Sequence, residues 1–263
     1  MFHAVRTRTK SRLGKALLAG GSATALTVAL AGSASAAVLH PLPENATPFQ
    51  KTFQPYFDYD NDSCLPVAAI DSSGRLNGGL DDSGSVTGQC RTDHLGKANT
   101  YSRAKCNNGW CAIVYSLYFE KDMACADCVR WSHRHDWEGV VVWVQQGAGT
   151  PSYVSVSRHG GYETKPWNEV PAKSGVRVKA VYHKDGASTH CMRFARSDER
   201  PEAWPDGGWD ELGLLSWDNL RGDLRDKLNN SSWGNANFPL KDSRFPTELS
   251  NAKPSGIPFN PNG

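Results

Sequence analysis

The feature that most constrains this chain is a period of two in its hydrophobic pattern, which begins near residue 112. Segments Ala112 to Phe119, Gly139 to Val144, Tyr153 to Ser157 and Val176 to Tyr182 are rich in Val, Tyr, Phe and Trp. Loops that carry Gly or Pro separate them, the spacing expected of antiparallel strands. In Val176-Arg177-Val178-Lys179-Ala180 the alternation is clean, so one face of that strand should be wet. The fold class is therefore mainly β. One helix is expected from Trp217, Leu220, Leu224 and Leu228, with Ser216 as its cap and Asn229-Asn230-Ser231-Ser232 as its end.

The first 36 residues belong to a different class. Arg6, Arg8, Lys10, Arg12 and Lys15 precede a small, apolar run from Ala16 to Ala31 and an Ala34-Ser35-Ala36 site. This is the form of a secretory signal cleaved after Ala36, and the apolar run is short of the roughly 20 residues a membrane span needs. Residues 37–263 then form a single domain. The leader holds five of the 29 Lys+Arg and none of the 27 Asp+Glu, so processing leaves three negative charges in excess. No basic run interleaved with aromatics remains, which excludes a nucleic-acid binder. Residues 37–50 read as a leader strand or tail with no independent fold, and the tail from Lys253, with its three prolines, as extended or mobile.

An exported chain meets an oxidising environment, and seven cysteines lie in the mature part. The odd number leaves at least one thiol over. Residues 51–104 are loop-rich, with turn chemistry at Asp71-Ser72-Ser73-Gly74, Asn77-Gly78-Gly79 and Asp81-Asp82-Ser83-Gly84. Cys64 and Cys90 flank these turns and are expected to pair. Cys125-Ala126-Asp127-Cys128 reads as disulfide partners, because no βαβ pattern or second ligand pair supports redox or zinc chemistry.

Chemistry concentrates in Ser132-His133-Arg134-His135-Asp136-Trp137-Glu138. In extended backbone Asp136 and Glu138 project from one face and Trp137 from the other. His133 precedes them on the loop entering the strand, and a hairpin would fold Asp122 back toward all three. Carboxylates this close repel unless a cation joins them, and oxygen-dominated ligation points to Mg²⁺ or Ca²⁺, with Mn²⁺ as a third choice, over Zn²⁺. A solvated or Arg134-bridged charge cluster is the alternative reading of the same spacing.

The heptapeptide differs at one position from the Gly-His-Arg-His-Asp-Trp-Glu of the Nep1-like (necrosis and ethylene-inducing) family. Ala112 to Asp122 resembles that family's Ala-Ile-Met-Tyr-Ser-Trp-Tyr-Phe-Pro-Lys-Asp. Similar segments recur at Cys64-Leu65-Pro66, His159-Gly160-Gly161-Tyr162, Thr189-His190 and Trp233 to Pro239, so the resemblance covers about residues 52–250. It implies an antiparallel β-sandwich flanked by helices, similar to the actinoporins. It implies a metal held by Asp122, His133, Asp136 and Glu138. The implied activity is a secreted, non-enzymatic cytolysin or necrosis elicitor that binds the terminal sugar of plant glycosyl inositol phosphoryl ceramide sphingolipids and damages the target membrane. His190 aligns with a family His near the sugar loops, and Arg134 and His135 are further candidates for ligand contact. The segment 112–138 is similar to the region that plant pattern-recognition receptors perceive, so a non-lytic glycan-binding elicitor is one alternative and a metal-dependent hydrolase another. Ser132 and Glu120 depart from the family Gly and Pro, and the loop from Asp122 to His133 is about three residues longer than usual. Trp204 and Trp209 lie in a Pro- and Gly-bearing loop suited to a membrane interface.

Overall fold

A computed structural model gives the fold of residues 38–263, apart from the side chain of Val129; the expected leader, residues 1–36, lies outside the described residues. In chain order the elements are α1 (Pro48–Thr52), β1 (Tyr56–Tyr59), β2 (Asn99–Asn107), β3 (Trp110–Asp122), β4 (His133–Gln145), β5 (Tyr153–Arg158), β6 (Gly161–Pro166), β7 (Ala172–Lys173), β8 (Arg177–Lys184), β9 (His190–Phe194), β10 (Gly213–Ser216), α2 (Gly222–Asn230) and α3 (Phe245–Ala252). One sheet has the order β10-β2-β3-β4-β5-β6, antiparallel except where β10 runs parallel to β2. In the other, β8 pairs with β1 in parallel and with β7 and β9 antiparallel.

The strand alternation explains how these layers stack. Ile113, Tyr115, Leu117 and Phe119 of β3, with Val140, Val142 and Val144 of β4, share a core with Phe57, Tyr59, Ala180, Tyr182 and Met192 of the smaller sheet. The intervening residues Ala112, Val114, Tyr118, Trp137, Val141 and Trp143 face the other way and pack with Leu224 and Leu228 of α2 and Phe245, Leu249 and Ala252 of α3. The large sheet is thus buried on both faces, and the protein is a sandwich with helices on its outer side. On β8, Val178 and Ala180 are buried while Arg177 and Lys179 stay half-exposed, as the alternation requires.

Three expectations need correction. The helix does not start at Trp217: Trp217–Asn219 form a 3-10 turn, Leu220 is extended, and α2 begins at Gly222. Asn45 breaks the run, since its side chain accepts from Ser216 N at 2.7 Å while its backbone carbonyl accepts from Asn219 Nδ2 at 2.8 Å; the Ser216 side chain caps nothing. Residues 38–50 are built into the fold, because Leu39 and Leu42 are buried and Asn99 exchanges two hydrogen bonds with the Leu42 backbone. Thr47 and Gln50 also form a capping box on α1. The tail after Lys253 is pinned, with Phe259 buried against Trp143 and Asn107 and Asn108 bonded to the Asn260 and Pro258 carbonyls.

Cys64–Cys90 is a disulfide, as are Cys106–Cys111 across the β2–β3 turn and Cys125–Cys128 in the β3–β4 loop; Cys191 is free and buried. Among the described residues no helix is long and apolar enough to cross a membrane.

Candidate functional site

Strands β3 and β4 stay paired to their ends, where Asp122 lies opposite His133. His133 is therefore the first residue of a strand and not part of the loop entering it. In an unbroken strand His133 and Asp136 would face opposite sides, since they are three apart. His135 resolves this. It has a left-handed φ of 63°, which resets the alternation and brings one donor atom each of Asp122, His133 and Asp136 within 4.8 Å of one another. The position that needs positive φ is thus His135, while Ser132 avoids it and donates its hydroxyl to the Cys128 carbonyl at 2.9 Å.

Each carboxylate has its own support. Asp122 is buried and accepts from the His190 backbone N–H and from His190 Nδ1 at 2.6 Å, while His190 Nε2 lies 3.0 Å from the Asp62 carbonyl. Two acceptors on one ring call for the doubly protonated imidazole. Burial works against that charge, but the Asp122 and Asp62 oxygens outweigh it and raise the His190 pKa. Asp136 accepts from the Trp137 N–H at 2.9 Å and from the Tyr182 hydroxyl at 2.8 Å. Burial first, and then the charge of Asp122, push its carboxyl up to about 7. Glu138 accepts from the Ser157 hydroxyl, and burial together with Asp136 raises it well above the usual range. Gly139 follows because β3 presses close: a Cβ there would collide with the Tyr115 carbonyl.

These groups line one pocket of about 210 Å³, closed by the turn His159–Tyr162, by Thr189 and His190, and by Asn235 to Asn237, Arg244 and Glu248. The donor set is three carboxylates and one imidazole, in which ionisation is opposed by burial and mutual repulsion. A hard divalent cation relieves both effects. The residues present therefore fit such an ion, and Asp122, His133 and Asp136 form the group that could hold it, with Glu138 lining the same pocket.

Two of the sequence candidates lie elsewhere. Arg134 reaches Asp81 and the Gly78 carbonyl, and His135 Nδ1 lies 2.6 Å from the Tyr118 hydroxyl with its ring against Trp233. Neither lines the pocket, because the left-handed residue that turns His133 inward turns these two toward the 77–84 loop, whose Gly79 has no room for a Cβ beside them. His190 does line it, but as the partner of Asp122. Trp204 packs over Gly96 and Trp209 beneath Lys179. Among the described residues the most exposed large aromatic is instead Trp131, at 62%, in the β3–β4 loop directly before His133. Ser157 and Tyr182, which hold Glu138 and Asp136, could be found only from strand register, since nothing in their local sequence marks them. Glu120, in place of the family Pro, is buried and bonded to Asn77 and to His94 at 3.0 and 2.9 Å.

The family model described as necrosis inducing protein (NPP1) matches residues 47–252. The necrosis-inducing protein NPP1 of Phytophthora nicotianae is 34% identical over 204 residues, spanning 76% of this chain and 80% of that protein. A solved structure described as a toxin fold as basis for microbial attack and plant defense superposes with a TM-score of 0.70 at 29% identity, covering 82% of this chain and 96% of the other. A second, NLPPya in complex with mannosamine, gives a TM-score of 0.69 at 30% identity over 81% and 95%. Heptapeptide, fold and pocket agree with these matches over most of the chain, which therefore belongs to the necrosis inducing protein (NPP1) family.

Proposed function

We propose that this chain is a secreted cytolysin and necrosis elicitor that takes the sugar headgroup of a plant sphingolipid, of the glycosyl inositol phosphoryl ceramide class, into the pocket beside Asp122, His133, Asp136 and Glu138. The observation that carries this reading is the burial of three carboxylates against one polar pocket whose far wall, Asn235, Asn237, Arg244 and Glu248, offers donors and acceptors to hydroxyl groups. Mg²⁺ or Ca²⁺ held by the four acidic and imidazole groups would supply a positive centre for sugar oxygens. The protein's own residues do the positioning: His190 fixes Asp122, Tyr182 fixes Asp136, and Ser157 fixes Glu138. The relative that binds an amino sugar and the toxin-fold neighbour support sugar recognition and membrane damage, and three disulfides suit an extracellular setting.

The test is dye release from vesicles containing glycosyl inositol phosphoryl ceramide, compared with plain phospholipid vesicles, with and without a chelator. Release confined to the sphingolipid vesicles and abolished by chelation is expected. Equal release from both vesicle types would overturn the headgroup reading. Binding without release would point to a non-lytic elicitor, and release of free headgroup to a hydrolase.

A further inference from the structure

A second group of metal-type donors lies beside the pocket and uses none of its proposed ligands. We propose that His159, Asp185 and Cys191, with His183 as the fourth donor, form a separate site for a borderline-soft ion of the Zn²⁺ type. One donor atom each of His159, Asp185 and Cys191 lie within 4.8 Å of one another.

The backbone builds this group from two hairpins. In the β8–β9 pair His183 lies directly opposite Cys191, and the Asp185 N–H closes the turn onto the Thr189 carbonyl at 3.2 Å. His183 and Asp185, two apart, therefore share a face with Cys191. The β5–β6 hairpin turns through His159 and Gly160, both at positive φ, 47° and 78°. That is the two-residue type I′ geometry, in which Asn or Gly is the usual first residue. A histidine placed there accepts local strain, and the placement puts its Nε2 in a 2.8 Å hydrogen bond with Asp185 Oδ2, which coordination through that nitrogen would replace.

The one edge between Cys191 and His183 suits tetrahedral zinc. With Zn–S near 2.3 Å and Zn–N near 2.0–2.1 Å, the S···N edge of a tetrahedron is about 3.5 Å. The Cys191 Sγ to His183 Nε2 separation is 3.5 Å. Arg158 donates to Asp185 Oδ2 at 2.8 Å and holds the carboxylate in place, leaving the other oxygen for coordination. The thiolate and imidazole donors separate this group chemically from the oxygen-rich pocket, so the two sites should sort different ions. Coordination releases the thiol proton to solvent as the Zn–S bond forms. The site also gives a role to the one cysteine that the three disulfides leave unpaired.

The probe is Zn²⁺ titrated into the mature protein in excess Mg²⁺, with Co²⁺ as a spectroscopic substitute that reports thiolate ligation by a charge-transfer band. One equivalent of Zn²⁺ should bind, and the Co²⁺ form should show the band. Cys191→Ser should abolish the band. His159→Asn, which keeps a residue suited to the turn, should weaken Zn²⁺ at least tenfold, and Asp136→Asn should leave both readings unchanged. Should Cys191→Ser fail to fold, the His159→Asn and Asp136→Asn pair decides the matter. Absence of the band in the parent protein, or loss of Zn²⁺ in Asp136→Asn with retention in His159→Asn, would overturn the proposal.

Discussion

Replacing Asp136 by Asn is the sharpest probe of the carboxylate pocket, because it removes a charge while keeping nearly all the shape. In the parent protein the two oxygens of Asp136 accept from Trp137 N and from the Tyr182 hydroxyl. The Asn oxygen can keep the first bond, and its NH₂ can donate to a Tyr182 hydroxyl that has rotated to accept. The hydrogen bonds that support the fold are therefore kept. Asp136→Ala would be a poorer choice, since it orphans both buried donors at about 1–3 kcal/mol each. A divalent ion that binds only the native state adds about 2.7 kcal/mol at a concentration one hundred times its Kd. For a domain of this size that corresponds to a rise in Tm of roughly 5–11 °C. The assay is a thermal melt of parent and variant in chelator and in a Ca²⁺ or Mg²⁺ series. The parent should rise by that amount and Asp136→Asn should not. In chelator the sign is also defined: a carboxyl raised to about 7 from an ordinary 3.8 destabilises the fold above its unfolded value. The chelated parent should accordingly gain stability as pH falls from about 8 toward 4, with a smaller gain in the variant. A variant that keeps the full ion-dependent rise, or a parent that shows none, would refute the reasoning.

Four further outcomes follow from the packing. Trp137→Ala should cost about 3–5 kcal/mol in denaturant melts, since the ring is buried among Tyr101, Tyr118, Trp233 and Phe238 with centroids 4.3–5.4 Å away. Replacing Cys64 and Cys90 together by Ala should cost about 3–4 kcal/mol by loop entropy for a separation of 26 residues; an unchanged midpoint would discount the staple. Burial lowers the pKa of His94, but its bonds to Glu120 and the Thr92 carbonyl outweigh this and raise it. That stabilisation is complete below about 6.5 and is lost as pH rises through the folded value, so Glu120→Gln should flatten the pH dependence of stability there, with an NMR titration of His94 as the direct check. Trp131→Ala should leave the melt unchanged and reduce vesicle lysis, because the ring is mostly exposed beside the pocket strand, where an indole suits the lipid interface.

What adjacent residues encode was legible in the chain alone. Strand periodicity depends only on which face each neighbour prefers, so Asp136 and Glu138 could be placed on one side of β4 and Trp137 on the other, and the turn-rich segment could be seen to need the Cys64–Cys90 link. The rest was decided by contacts between distant residues, whose energies leave no local pattern. His133 joins Asp136 only because His135 adopts a left-handed conformation held between Tyr118 and Trp233. The same twist removes Arg134 and His135 from the pocket. Asp122 is set by His190, 68 residues away, and Asp136 by Tyr182, 46 away. The helix expected from Trp217 yields to Asn45, which binds the Ser216 N–H across 171 residues. Hydrogen bonds over such separations form only once the layers have packed, and the buried groups they satisfy are then too costly to leave unpaired, so side-chain direction in this pocket is a property of the assembled sandwich.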